Sequence, residues 1–97
     1  RRMLRPTVKA AEFEKYGFKR CKGIYKDCFY LCVARGSKML FVSDVCFDVF
    51  EWDAVDPRIH KNANHNKDKR DWMDIIYDLI KANLLESEFK SFAGLKE

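Results

Sequence analysis

The stretch that most constrains the fold is residues 27–43, which read DCFYLCVARGSKMLFVS. Two apolar runs flank the pair Gly36-Ser37 in this stretch. Glycine readily adopts the positive φ that the first central position of a two-residue type II′ turn requires. The sequence therefore predicts a β-hairpin in which Arg35 pairs with Lys38, and this pairing sets the register of the two strands outward from the turn.

Side chains alternate along a strand, so the predicted hairpin divides its residues between two faces. One face carries Phe29, Leu31, Val33, Leu40 and Val42. The other face carries Cys28, Tyr30, Cys32, Ala34, Met39 and Phe41. Both faces are apolar, so each of them needs a cover that removes it from water.

Two helices are predicted on either side of the hairpin. Thr7 is a candidate N-cap for a short helix that ends at Gly17, with Phe18 folding back on its last turn. Asp68 is a candidate N-cap for a longer helix, which Asn83 would end. Its apolar residues recur at helical spacing and are Trp72, Ile75, Ile76, Leu79 and Ile80.

The remaining segments are more ambiguous. Residues 18–22 are short and basic, which suits an edge strand. Residues 45–52 fit a strand or a helix, and their valine, phenylalanine and tryptophan favour the strand. Residues 53–67 contain one proline, three asparagines and two histidines, which predicts a long loop.

These elements predict an α+β fold: a three- to four-stranded antiparallel sheet with an N-terminal short helix and a long C-terminal amphipathic helix. The chain has 97 residues, of which 47% are hydrophobic, and this indicates a single domain. We assign residues 1–6 to a disordered arm, 7–89 to the globular core and 90–97 to a frayed tail. No stretch is typical of a signal peptide or a membrane span, so we expect a cytoplasmic protein without membrane association.

Two helices of this size are expected to cover one sheet face and to leave the other face open. The second face of the hairpin and the loop at 53–67 are therefore the predicted protein-binding surface. Its candidate residues are Cys28, Tyr30, Cys32, Met39, Phe41, Arg58 and His60. The partner would be a second copy of the chain, giving a homodimer, or a different protein.

Six residues have side chains that could bind a metal: Cys21, Cys28, Cys32, Cys46, His60 and His65. Zinc sites usually contain ligand pairs two to four residues apart, as in CxxC, and this sequence has no such pair. No serine or cysteine is placed by sequence to act as a nucleophile for either histidine. We therefore expect buried, reduced thiols, no cofactor, no metal and no enzymatic activity.

Basic residues form three clusters, at 19–26, 35–38 and 58–70, and these predict nucleic-acid binding as an alternative. The candidate residues are Lys19, Arg20, Lys22, Lys26, Arg35, Lys38 and Lys61. An acidic block at 44–56 competes with this interpretation. It suggests a third hypothesis, in which the protein inhibits a host nuclease or defence enzyme.

Four segments of the chain resemble a family of small phage and prophage proteins of Gram-positive bacteria. The segments are YGFKRCKG (16–23), YLCVARGSKMLFVSD (30–44), DPRIHKN (56–62) and MDIIYDLIKANLLE (73–86). The resemblance implies an accessory protein that binds a host or phage macromolecule in the bacterial cytoplasm. It carries over no catalytic residues.

Overall fold

The computed structural model describes residues 4–25 and 27–87, and its centre is a seven-stranded sheet. The strands are β1 (Leu4–Pro6), β2 (Lys19–Arg20), β3 (Phe29–Arg35), β4 (Lys38–Val42), β5 (Phe47–Glu51), β6 (Asp68–Asp71) and β7 (Leu85–Ser87). Their order is β2-β3-β4-β5-β1-β7, and β6 pairs with β3. The helical elements are α1 (Trp72–Lys81) and three 3₁₀ helices, Ala10–Tyr16, Gly23–Tyr25 and Lys61–His65.

The predicted fold class is wrong in two respects. The sheet has seven strands, because β1, β6 and β7 are short segments that pair with strands distant in sequence. The predicted long C-terminal helix is absent from the described residues, which contain only the ten-residue α1. Residues 68–71 are extended beside β3, and the N-cap of α1 is Asp71, whose carboxylate accepts the N–H of Met73 at 2.9 Å.

The hairpin of β3 and β4 is present, but its register differs from the predicted one by two residues. Leu31 lies opposite Leu40, where the prediction placed Val33. The last β3–β4 pair is Val33 with Lys38, and residues 34–37 between them form a turn in which the N–H of Ser37 donates to the carbonyl of Ala34 at 3.1 Å. A two-residue shift keeps every side chain on its face, so the predicted division into two apolar faces is confirmed.

The first of these faces, which we call the helix face, is covered by α1 and by the 3₁₀ helix Ala10–Tyr16. Its hairpin residues are Phe29, Leu31, Val33, Leu40 and Val42. They pack with the α1 residues Ile75, Ile76, Leu79 and Ile80. The spacing of these four α1 residues places them on one side of the helix, which explains why periodicity identified them.

The N-terminal helix is a 3₁₀ helix, and Thr7 does not cap it. The backbone N–H of Ala10 donates instead to the carboxylate of Asp44 at 2.7 Å, so a distant turn caps this helix. Its C-terminal end follows the prediction, because Gly17 has a φ of 98° and Phe18 packs edge-on against Phe13.

Two further segments have defined positions. Residues 47–51 form β5, so the preference for a strand at 45–52 is confirmed. Residues 4–6 fall within the predicted arm, yet they form β1 and pair with both β5 and β7. The predicted tail at 90–97 lies outside the described residues. In the described ranges, no helix combines the length and the apolar character needed to cross a bilayer.

A substitution in the hairpin turn tests how closely Trp72 of α1 packs against that turn. Gly36 has a φ of 88°, and a Cβ added there would lie 2.5 Å from Cδ1 of Trp72. Gly36→Ala should therefore lower the free energy of unfolding by about 2–4 kcal/mol, from backbone strain and a displaced indole together. The measurement is the urea midpoint of each purified variant.

Gly23→Ala is the matched control. Gly23 also has a positive φ, 70°, but no atom lies within 4 Å of the added Cβ. This variant should lose only the backbone contribution, about 1–2 kcal/mol. Equal losses at the two positions would contradict the close packing of Trp72 on the turn.

Candidate nucleic-acid interface

The second face of the hairpin, which we call the loop face, is covered by the segment at 52–63 of the same chain. Tyr30, Cys32, Met39 and Phe41 are at most 4% exposed, and Cys28 is half-buried. The covering residues are Trp52, Ile59 and Ala63. The expectation that the chain's own elements leave this face open is therefore wrong, and the predicted protein interface loses the exposed surface on which it depended.

Arg58, another predicted interface residue, is part of this cover. Its guanidinium lies 3.7 Å from the ring centroid of Phe41 and 5.1 Å from that of Phe50. Asp56 holds the guanidinium through two hydrogen bonds, from Nε at 3.0 Å and from Nη2 at 2.8 Å. The two hydrogen bonds hold the guanidinium over the aromatic rings and neutralise its charge, so a cation can complete the cover that Ile59 and Ala63 begin.

His60 joins the covering segment to β2. One of its ring nitrogens, Nε2, lies 3.1 Å from the carbonyl oxygen of Arg20, and its backbone N–H donates to the hydroxyl of Tyr30 at 3.2 Å. Beside it, the N–H of Lys22 donates to the carbonyl of Arg58 at 3.1 Å. The segment at 58–60 is therefore anchored beside β2, and the 3₁₀ helix Lys61–His65 begins directly after this anchor.

All four cysteines are free thiols, and three of them have raised pKa values. Burial raises the pKa of Cys21 to about 12 and that of Cys32 to about 11. These thiols are therefore protonated at neutral pH. Within residues 4–25 and 27–87, no group of three or more His, Cys, Asp and Glu side chains is placed to hold a metal ion.

Several exposed lysines belong to segments along one side of β3. Strand β4 lies on one side of β3, and β2 and β6 share the other side. Strand β2 pairs with Phe29 and Tyr30 of β3, and β6 pairs with the β3 residues from Val33 to Arg35. The 3₁₀ helix Lys61–His65 follows the segment anchored on β2. We call the exposed lysines of this region the basic edge. They are Lys19 on β2, Lys22 two residues after β2, Lys61 in the 3₁₀ helix and Lys69 on β6.

Two carboxylates beside the basic edge already have partners. Asp68 is held by Arg70 through Nε at 3.1 Å and Nη2 at 2.8 Å, and hydrogen bonds from this arginine lower its pKa. Asp56 is held by Arg58 in the same way. No lysine of the basic edge forms an ion pair with another described residue, so their positive charge is available to a ligand.

The other predicted nucleic-acid residues are distributed differently. Arg20 lies on β2 with its guanidinium 4.9 Å from the ring centroid of Phe29, so it belongs to the same edge. Arg35 lies at the hairpin turn, at the β6 end of that edge. Lys38 faces away from the edge and pairs with Glu51 on β5. Lys26 lies outside the described residues.

A small cleft opens in the basic edge between β2 and β6. Its lining includes Lys19, Leu31, Cys32, Ala63 and Asn66. It exists because neither β2 nor β6 extends along the middle of β3. Lys19 and Asn66 both line the cleft, and sequence analysis did not select Asn66.

Sequence analysis placed Lys69 only within the broad basic run at 58–70. Its position at the edge depends on the parallel pairing of β6 with β3, and a four-residue strand of sequence DKRD carries neither apolar alternation nor a turn signal. Comparisons with protein-family models, with curated proteins and with solved structures gave no match. The resemblance to phage proteins therefore stays a prediction.

The Asp56–Arg58 pair makes stability depend on pH in a defined direction. Hydrogen bonds from the Arg58 side chain hold the pKa of Asp56 below its ordinary value of 3.8. The stabilisation is therefore fully present above the unfolded-state pKa and is lost as the pH falls through the lower folded-state pKa. Asp56→Asn should cost about 1–3 kcal/mol at pH 7, and the difference between the wild type and the variant should shrink as the pH falls below the ordinary carboxyl pKa of 3.8.

Urea denaturation at a series of pH values measures this difference. Glu14→Gln is the control, because it makes the same change from carboxylate to amide at an exposed side chain. A gap between the wild type and Asp56→Asn that stays constant down to pH 2 would show that the pair is not the source of the stability difference.

Proposed function

We propose that this protein binds nucleic acid through the phosphate backbone, along the basic edge, without dependence on base sequence. One observation carries the proposal: four exposed lysines from three separate segments share one edge and form no ion pair with any other described residue. Lysine amines near phosphates release condensed counterions, and this release supplies most of the free energy of binding that ignores sequence.

Two carboxylates of the acidic block that competed with this hypothesis lie on another part of the sheet. Asp48 and Glu51 belong to β5, and β3 and β4 separate β5 from β2. Three strand spacings amount to about 14 Å, whereas the Debye length at physiological ionic strength is about 8 Å. These two carboxylates therefore weaken the attraction of the basic edge for a polyanion only slightly.

Two tyrosines favour a single-stranded ligand over a duplex. Tyr16 precedes β2 and is 43% exposed, and Tyr25 follows β2 and is 37% exposed. Tyrosine rings at the two ends of a basic strand can stack on unpaired bases while the lysines between them contact phosphates. Tyr30 is buried under the covering segment, so it is not available for stacking.

The test is fluorescence anisotropy with a labelled single-stranded oligonucleotide at several salt concentrations. Lys19→Gln combined with Lys61→Gln should weaken binding and make the plot of log affinity against log salt shallower by about 1.4, or about 0.7 for each lost phosphate contact. A duplex of the same length, used as competitor, should displace the single strand poorly.

The matched control removes two positive charges elsewhere. Arg5 pairs with Glu86 at the β1–β7 side of the sheet, and Lys81 lies in the last turn of α1. Arg5→Gln combined with Lys81→Gln changes the net charge equally and should leave the salt dependence close to that of the wild type. If the two double variants weakened binding equally, the attraction would depend on net charge alone, and this would contradict a binding site at the basic edge.

One observation supports the alternative hypothesis of a protein partner, which includes the inhibition of a host enzyme. Ile24 is 88% exposed and Val45 is 77% exposed, and both lie on connections at the same end of the sheet. Exposed aliphatic side chains at a sheet end suit docking on a protein surface. Binding of this kind would respond to Ile24→Ser and would be insensitive to neutralisation of Lys19 and Lys61.

A further inference from the structure

Cys21 and Cys28 lie opposite each other on neighbouring strands. The β2–β3 ladder pairs Lys19 with Tyr30 and Arg20 with Phe29, so the next position brings the two cysteines together. A backbone hydrogen bond continues the ladder there, from the N–H of Cys21 to the carbonyl of Cys28 at 2.8 Å. Both side chains pack in the cluster on the loop face, so they point to the same side of the sheet.

This arrangement matches the requirements of a disulfide. Opposite residues of an antiparallel pair have Cα atoms about 4.5–5.5 Å apart, and disulfides span Cα separations of about 4.4–6.8 Å. We infer that Cys21 and Cys28 form a site of oxidative modification, at which a hydroperoxide converts the two thiols to one intramolecular disulfide. The inference depends on the strand ladder and not on nucleic-acid binding.

The other two cysteines are too far away to compete. Ser43 lies opposite Cys46 through a backbone hydrogen bond at 2.9 Å, and the β3–β4 register places Ser43 opposite Cys28. Cys28 and Cys46 are therefore separated by two strand spacings, about 10 Å. Cys32 lies four positions along β3 from Cys28, about 13 Å away. Both separations exceed the reach of a disulfide.

The two thiols differ in solvent exposure, so we expect one of them to react with the oxidant first and the other to form the disulfide with it. Cys28 is half-buried and can meet the oxidant, whereas Cys21 is 3% exposed. The sulfur of Cys28 takes one oxygen from the hydroperoxide, giving a sulfenic acid and releasing the alcohol, or water when the oxidant is hydrogen peroxide. The sulfur of Cys21 then attacks that of Cys28. The S–O bond breaks, water leaves, and the pair has lost two electrons to the peroxide.

The disulfide would close a ring around residues 22–27, which carry Lys22 and Tyr25. Strand β2 has only two residues, so few hydrogen bonds hold it to β3. A covalent bond one residue beyond its end would fix this edge strand in place. Burial raises the pKa of Cys28, so the reaction should be slow at neutral pH and faster as the pH rises.

The experiment treats the folded protein with hydrogen peroxide, blocks the remaining thiols and maps disulfides by mass spectrometry. We expect a monomer that has lost two hydrogens, with one bond between Cys21 and Cys28. Cys21→Ala and Cys28→Ala should each abolish the intramolecular disulfide. Cys46→Ala should leave it unchanged, and so should Cys32→Ala, which removes the second cysteine from the tryptic peptide that contains Cys28.

Oxidation in urea is the control for geometry, because the unfolded chain has no fixed register and should give several pairings. The inference is overturned if the folded protein pairs Cys28 with Cys46 or Cys32, if it forms only intermolecular disulfides, or if Cys28 proceeds to sulfinic acid without pairing. Disulfide mapping of the wild-type protein tests the inference even if an alanine variant does not fold.

Discussion

The structure depends on a hairpin with two apolar faces. Strands β3 and β4 bury residues on both sides, so the sheet must be covered twice. Among the described residues, α1 is the one α-helix, and it covers the helix face. The loop face is covered by a segment that contains no α-helix and few apolar side chains.

The loop face is closed by a different kind of chemistry. Only Ile59 and Ala63 are buried aliphatic contributions from the segment at 53–67. The rest of the cover comes from cations over rings, Arg58 over Phe41 and Lys67 over Trp52 at 3.9 Å. Because the covering segment is polar and basic, closing the core also brings cations to the surface beside β2. The position of Lys61 in the basic edge is thus a consequence of how the second face is buried.

Sequence reasoning succeeded where the signal was local. Alternation assigned every buried hairpin residue to its correct face, although the register was wrong by two residues, because a shift of two preserves orientation. Gly17 and Asn83 were identified as left-handed helix ends, and both have positive φ. Sequence reasoning failed for β1, β6 and β7, whose pairing is long-range and whose residues carry no alternation. It also failed for the cover of the loop face, since a polar loop gives no sign that it will pack on a sheet.

The candidate site was predictable only in part. Lys19, Lys22 and Lys61 were selected from charge clustering, but their common edge depends on contacts such as that of His60 with the Arg20 carbonyl. The amino-acid sequence by itself determined the two-faced hairpin, the apolar side of α1 and the turn positions, because each follows from side-chain periodicity or from the backbone freedom of single residues. The tertiary structure decided the order of the strands, the burial of the loop face and the convergence of the lysines. These depend on pairings between distant segments, whose free energies come from burial and hydrogen bonding that no short window of sequence contains.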